Sequence, residues 1–400
     1  MPGPGYYFFG EEERKEVEDV LTSGYLSRYG REDDPLFKQK VFTFESEFAR
    51  KMGTRYCVAV NSGTSALMAA LVAIGLQPGD EVLVPGYTFI ASMSSVIAVG
   101  GHPVLVEVDE SLTMDPVDVE RKITERTRVI MPVHMLGNPC DMERILTLAE
   151  KYNLIVIEDC CQALGGSYCG QRLGTYGAFG GFSLNNYKVI NSGDGGVLIT
   201  NNQELYKRAF AFHDQGHLPL RKGVEIGQRT LMGVNMRMNE LTGAFALGQL
   251  RKLDLILSTL RKKKALFKQN IQVGDIRNMQ FRRINDVEEC ATLLTVQFPD
   301  EALTEKVVKA LQTKSVYNSG WHVYNHMEQF LSYTDASGKH PYHKNMLPQT
   351  DEILRRSVNL SVGVVDPGLG ADFGINVLSS DDEIQQKAEE FIRIVKPIAG

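Results

Sequence analysis

The sequence predicts an α/β protein. A large domain over residues 1–250, with an N-terminal arm, is built on a mostly parallel seven-stranded sheet, and a smaller α+β domain follows over 251–400. Three observations predict this. Seven short apolar runs lie between 57 and 200. They are continuously apolar rather than alternating, as strands covered on both faces are. Amphipathic segments separate the first five of them, the alternation that βαβ units require.

In chain order the strand runs are "CVAV" (57–60), "EVLVP" (81–85), "PVLVEV" (103–108), "RVIMPV" (128–133), "LIVIED" (154–159), "AFGGFSL" (178–184) and "GGVLIT" (195–200). Helices are expected from "SALMAALVAIG" at 65, "SMSSVIAV" at 92, "PVDVERKI" at 116 and "DMERILTLAEKY" at 141. No helical stretch separates the last two runs, so one of these strands should be antiparallel. Around 235–260, "NELTGAFALGQLRKLDLILSTL" has the i, i+3, i+4 apolar spacing of one long helix. Beyond it, "ATLLTVQF" reads as a strand and "TEKVVKALQTK" as a helix. "SDDEIQQKAEEFIRIV" reads as a capped C-terminal helix.

Composition narrows the function. The chain has 400 residues, 43% hydrophobic, and a net charge of −6 from 43 basic and 49 acidic residues. Mild acidity argues against a nucleic-acid or anionic-membrane partner. The densest basic run, "LRKKKALFK" at 260–268, reads as a solvated helix face. No apolar run approaches the roughly 20 residues of a membrane span. The N-terminus lacks the basic-then-apolar order of a signal peptide, so a cytoplasmic protein is expected. Six cysteines without regular spacing, Cys160 and Cys161 adjacent, suggest reduced thiols rather than a disulfide framework.

Ligands of open α/β sheets bind beyond the carboxyl ends of the strands. Four such ends draw notice. "NSGTSA" follows the first strand, and its glycine and small hydroxyls begin a helix whose free N–H groups suit a phosphate or serve as an ordinary cap. In "EDCCQA", Asp159 ends a buried run; it either caps the next segment or pairs with a protonated ring nitrogen, because a buried carboxylate is costly alone. Phe89, in "PGYTFIAS", either covers a flat ring or joins the core. Lys188, in "FSLNNYKVINSGDGG", is the one cationic residue of that run. A solvated loop lysine is the plain reading; a desolvated amine that forms a Schiff base is the functional one. Together the four describe a pyridoxal phosphate pocket.

Six stretches, "NSGTSAL", "GDEVLVPGYTFIAS", "EDCCQALGGSYCGQRLGTYG", "FSLNNYK", "GDGGVLIT" and "GVNMRMNELTGAFALGQL", resemble the DegT/DnrJ/EryC1/StrS family, sugar aminotransferases of the fold-type I pyridoxal phosphate (PLP) class. The likeness runs from about residue 8 to 260 and continues more weakly to the end. It implies that Lys188 holds PLP as an internal aldimine and that Asp159 pairs with the pyridinium nitrogen. It also implies that Gln162 contacts the oxygen side of the ring, that Phe89 stacks on it, and that Thr64, Ser65 and Ser183, with Gly63 in the same turn, bind the phosphate. Asn235 resembles an asparagine that reaches the phosphate of a neighbouring subunit, which implies a homodimer with its active site at the interface. Family members often carry histidine where Asn185 stands. The implied chemistry is ping-pong transamination between the PLP and pyridoxamine forms, with glutamate as donor and a keto or aldehydo sugar as acceptor. Related sugar dehydrases have histidine in place of Lys188, and no output module suggests a cofactor-binding sensor.

The tail stretches "GWHVYNHMEQF" and "LPQTDEILRRSVNLSV" resemble the branch that aminates C8 of 3-deoxy-octulosonate sugars; a nucleotide-linked keto-hexose or a cyclitol stays open. The pairs His213–His217 and His322–His326 have i, i+4 spacing, but neither has the glutamate of a zincin motif, and no metal site is expected. His134 is expected to line the pocket, with the Asn185–Asn186 pair and the "GWHVYNH" loop. Arg237 is a further candidate for binding an acidic group.

Overall fold

The computed structural model describes residues 2–31, 33–219, 229, 231–335, 337–363 and 366–400. All seven predicted strands form: β1 (Tyr56–Val60), β2 (Glu81–Pro85), β3 (His102–Val106), β4 (Thr127–Ile130), β5 (Ile155–Asp159), then β8 (Phe179–Ser183) and β9 (Gly196–Thr200). Between β5 and β8 lies a small hairpin of β6 (Ser167–Tyr168) and β7 (Gln171–Arg172). The sheet order is β1-β9-β8-β5-β4-β2-β3. Only β9 runs against its neighbours, β1 and β8. Its first residues therefore meet the last residues of the parallel strands at one edge, where Gly196 pairs with Val60 and Ser183.

The helices, in chain order, are α1 (Glu11–Ser23), α2 (Lys40–Met52), α3 (Gly63–Ala73), α4 (Ala91–Ala98), α5 (Pro116–Lys122), α6 (Met142–Tyr152), α7 (Gln203–His213), α8 (Glu240–Arg251), α9 (Leu253–Gln272), α10 (Glu301–Leu311), α11 (Glu328–Leu331), α12 (Pro348–Arg355) and α13 (Asp381–Ala399). Strand alternation sorts the core. Val58, Val84, Ile157 and Leu198 pack with α3, α4 and α7; Cys57, Ala59, Phe182 and Ile199 pack with α2 and α8. Each strand is thus covered on both faces, which explains its unbroken apolar run. Side-chain caps fix the starts of several helices: Ser62 for α3, Asp141 for α6, and Ser380 with Glu383 in a capping box for α13. No helix among the described residues is long and apolar enough to cross a membrane.

The long helix expected over 235–260 is two helices. α8 ends at Arg251, α9 starts at Leu253, and α9 runs on to Gln272. Lys252 stands at the joint, and its Nζ donates to both Glu13 oxygens (2.8 and 2.7 Å) and to the Phe8 carbonyl (2.8 Å). Apolar spacing continues through a one-residue joint, so periodicity alone does not reveal it. α1 and α2 were not anticipated. α2 starts without a side-chain cap of its own; Glu240 of α8 accepts from the N–H groups of Lys40 (2.6 Å) and Val41 (3.0 Å) instead. The basic run at 260–268 is not wholly solvated either, since Lys264 is buried in an ion pair with Glu289.

A second, antiparallel sheet of β10 (Gln280–Phe281), β11 (Leu293–Gln297) and β12 (Ser357–Ser361) packs with α9, α10 and α13. We propose the division after residue 250 as the domain boundary. It falls in the last turn of α8, and one hydrophobic core runs across it, from Phe44 through Leu247 and Ile256 to Phe391.

A buried polar cluster joins the N-terminal region to the sheet. Arg28 pairs with Glu45 through both carboxylate oxygens (3.1 Å each) and donates to His213 Nε2 (3.1 Å); His213 Nδ1 donates to the Phe210 carbonyl (2.5 Å). Burial, then the Arg28 charge, pushes His213 down to about 3. Burial, then the Lys188 charge, pushes His322 down to about 4. Both lie below the ordinary histidine value of about 6.5. As pH falls below that value, the unfolded chain takes up protons that the folded chain refuses, so the folded state loses stability. Unfolding midpoints should therefore drop between pH 6.5 and 5, with a slope that falls by about one proton in His213→Gln. An unchanged slope in that variant, followed by urea unfolding against pH, would reject the assignment.

Candidate active site

The four loop ends meet in one cleft of about 370 Å³ at the carboxyl edge of the large sheet. Ser62, Gly63 and Thr64 come from the turn after β1. Thr88, Phe89 and Ala91 follow β2. Asp159 ends β5, with Cys161 and Gln162 just beyond; Ser183 ends β8, and Asn185, Tyr187 and Lys188 follow it. Asp194 and Gly195 enter because β9 is antiparallel. The second half of the chain adds Thr292, Leu293, Trp321, His322, Asp366 and Leu369.

Asp159 is buried, and both oxygens are used. Oδ2 accepts from Ser92 Oγ (2.7 Å), which in turn meets Thr88 Oγ1 (2.7 Å); Oδ1 accepts from the Cys161 N–H (3.0 Å). The capping reading is thus partly realised, as a turn with Cys161. Strand alternation sends the next carboxylate the other way. Glu158 accepts from the N–H groups of Gly174 (2.7 Å), Tyr176 (2.7 Å) and Gly177 (2.8 Å) on the opposite face.

Lys188 lies at the cleft wall, where its Nζ has no hydrogen-bond or ion-pair partner among the described residues. Its loop is held through backbone: Lys188 N–H donates to the Asn185 carbonyl (2.9 Å). The N-terminal strap braces the same loop, since Gly3 N–H donates to the Asn186 carbonyl (2.7 Å). Phe89 is 45% exposed, so it is cleft wall and not core. Gln162 Oε1 accepts from the Leu136 N–H (3.0 Å). Burial, then the Asp159 charge, pushes the Cys161 thiol well up, which keeps it protonated and unreactive.

Two expected residues stand outside the lining. Ser65 turns its hydroxyl to Asn61 Oδ1 (2.6 Å) and Ser62 Oγ (2.9 Å), behind the cleft surface. Asn235 is exposed beyond the end of β1, on a segment bridged to Asp214 and Val60. His134 needs correction: it does not line the cleft. Val133 does, and the neighbouring His134 is buried on the other face. Its Nδ1 accepts from the Cys140 N–H (3.0 Å), so Nε2 bears the proton and donates to Glu158 (3.2 Å). Arg237 is spent on Asp214 (2.5 Å). The histidine pairs do not share helix faces: His213 ends α7 with His217 in the turn beyond, and His322 lies in a turn while His326 is in a short 3-10 helix.

Sequence reasoning missed Ser92, Asp194 and Asp366. The signal for Ser92 was available: a small hydroxyl in the first turn after β2, close to where β5 delivers its carboxylate. Asp366 had none, because its place depends on how the second half of the chain folds back.

The model of the DegT/DnrJ/EryC1/StrS aminotransferase family matches residues 8–365. The chain belongs to this family. The aminotransferase is 39% identical over 261 residues to a GDP-perosamine synthase of Escherichia coli O157:H7, covering 65% of this chain and 68% of that one. It is 37% identical over 254 residues to an L-glutamine:scyllo-inosose aminotransferase of Streptomyces griseus, covering 61% and 59%. An aminotransferase structure from Psychrobacter cryohalolentis superposes with a TM-score of 0.81 at 27% identity over 100% of both chains. The fold is therefore that of the fold-type I PLP enzymes, and the protein is a PLP-dependent aminotransferase.

The cleft fits that cofactor. A Cβ on Gly63 would stand 2.8 Å from Ser183 Cβ and 2.9 Å from Cys161 Sγ, so glycine lets the start of α3 sit close against the other cleft-lining residues at the ends of β5 and β8. Free N–H groups and the positive helix end favour an anion there. Gly63→Ala should push the start of α3 away from Ser183 and Cys161 and weaken PLP binding about tenfold or more, at an overpacking cost of about 1–3 kcal/mol. Equilibrium dialysis measures it, and unchanged affinity would move the phosphate elsewhere.

Proposed function

We propose that the aminotransferase moves the amino group of glutamate to a carbonyl sugar in two half-reactions of a ping-pong cycle, with Lys188 as the proton carrier and covalent anchor. The observation that carries this reading is the convergence on one cleft of a lysine whose Nζ has no partner among the described residues, a buried aspartate and a glycine at the start of α3. When bound, PLP supplies an aldehyde and an electron-withdrawing ring.

The residues divide the work. Gly63, Thr64 and Ser183 hold the phosphate, with Ser65 bracing the turn through Ser62. Asp159 balances the charge on the ring nitrogen, and Ser92 and Cys161 fix its orientation. Phe89 and Gln162 bound the ring. Lys188 Nζ takes a proton from the donor's α-carbon and gives one to the acceptor's carbon. General acid–base help of this kind is worth roughly 10²–10⁴ in rate.

The acceptors to screen are an 8-oxo octulosonate, a nucleotide-linked keto-hexose and a cyclitol ketone. The relatives' names point to the last two classes, and one of them names glutamine as donor. The test converts the enzyme to its pyridoxamine form with glutamate or glutamine, removes the oxo acid, and adds acceptors singly. Recovery of the yellow colour with a sugar or cyclitol, but not with pyruvate or oxaloacetate, supports the reading. Recovery with simple 2-oxo acids alone would overturn it.

Asn235 is proposed to complete the phosphate site of a second subunit, since it is exposed and lies off its own cleft. The active form should then be at least a dimer, and light scattering that finds a fully active monomer would remove the assignment. We place the protein in the cytoplasm, in keeping with six unpaired cysteines.

A further inference from the structure

We infer that Trp321, His322 and Asp366 form the subsite for the uncharged, hydroxyl-bearing ring of the acceptor, with the apolar face of that ring laid on the indole. This rests on the reading of the acceptor as a carbonyl sugar or cyclitol.

The three side chains are organised around one glycine. Trp321 is the single tryptophan of the chain and is 63% exposed, yet it lines the cleft. A Cβ on Gly368 would lie 3.3 Å from indole Cδ2 and Cε3, so Gly368 covers one side of the indole while much of the ring stays open. An aromatic face of this kind attracts the C–H face of a ring that water does not solvate well.

The polar groups beside it accept and do not donate. His322 is buried, and its Nδ1 donates to the Gly368 carbonyl (3.3 Å), which leaves Nε2 as a lone pair. Its depressed basicity keeps it neutral at pH 7. Asp366 Oδ1 accepts from the Gly368 N–H (2.8 Å), and Oδ2 has no hydrogen-bond partner among the described residues. Two acceptors and an aromatic face suit hydroxyl donors. They repel phosphate and carboxylate, so a diphosphate or acid group of the acceptor must lie away from this wall. The His322 ring is 5.6 Å from that of Phe89, so the subsite borders the place assigned to the cofactor ring.

The test uses whichever of three acceptors restores the yellow colour: GDP-4-keto-6-deoxymannose, scyllo-inosose or an 8-oxo octulosonate. In Trp321→Ala its KM should rise about tenfold, and Trp321→Phe should recover most of that loss. Asp366→Asn should raise the same KM more than it raises the KM for glutamate. In the wild-type pyridoxamine form, the emission of the single tryptophan should change as that acceptor is titrated, and GDP alone should leave it unchanged. An accepted sugar whose KM is indifferent to Trp321→Ala, or an emission that follows protein dilution and not sugar, overturns the subsite alone. Acceptance of 2-oxo acids only overturns both the subsite and the function it rests on.

Discussion

Replacing Lys188 with alanine is expected to abolish transamination while leaving the fold in place. The loop after β8 is held by backbone contacts: Lys188 N–H to Asn185, Leu184 N–H to the Gly195 carbonyl, and Gly3 N–H to Asn186. None of these uses the lysine side chain. The loss should reach about 10⁴ or more in kcat, the upper range for one acid–base group, because in the proposed mechanism the same Nζ is also the covalent anchor. Release of 2-oxoglutarate from glutamate in a single turnover measures it. Borohydride treatment of the wild-type enzyme should fix the cofactor to Lys188, and peptide mapping that put the adduct on another lysine would reject the assignment. A variant within tenfold of wild type would do the same.

The second large effect is expected at Asp159. Asparagine has the same shape and keeps an acceptor for the Cys161 N–H, and Ser92 Oγ can turn from donor to acceptor toward the new amide. What disappears is the negative charge. One charge-assisted contact is worth a few kcal/mol, so Asp159→Asn should lower kcat by about 10²–10³ and still bind PLP. The readouts are kcat and cofactor affinity, taken together. Near-native turnover would leave Asp159 with its turn-capping contact only.

These two residues were legible in the sequence because strand ends are legible. A continuous apolar run tells where a doubly covered strand stops, and chemistry in such sheets gathers at that edge. Asp159, Lys188, Gly63 and Phe89 each follow such a run directly. That one of the last two strands is antiparallel was also readable, since no crossover helix separates them; the structure shows that it is β9. His134 was misplaced by the same logic applied one residue too loosely. In an extended chain neighbours face opposite sides, so Val133 faces the cleft and His134 faces Glu158.

The amino-acid sequence by itself determined the class of fold, the seven strands and the edge where the loops that line the cleft collect. These follow from local patterns: apolar runs, helical spacing and turn chemistry. Only the tertiary structure decided what depends on distant segments. It broke the helix at Lys252, whose amine is held by Glu13 and Phe8 from more than 200 residues away. It started α2 under the carboxylate of Glu240. It turned Ser65 back toward Asn61, and it brought Trp321, His322 and Asp366 around Gly368 onto a wall that β2 and β8 complete. Contacts of that separation are set by how the layers close on one core, which no window of neighbouring residues encodes.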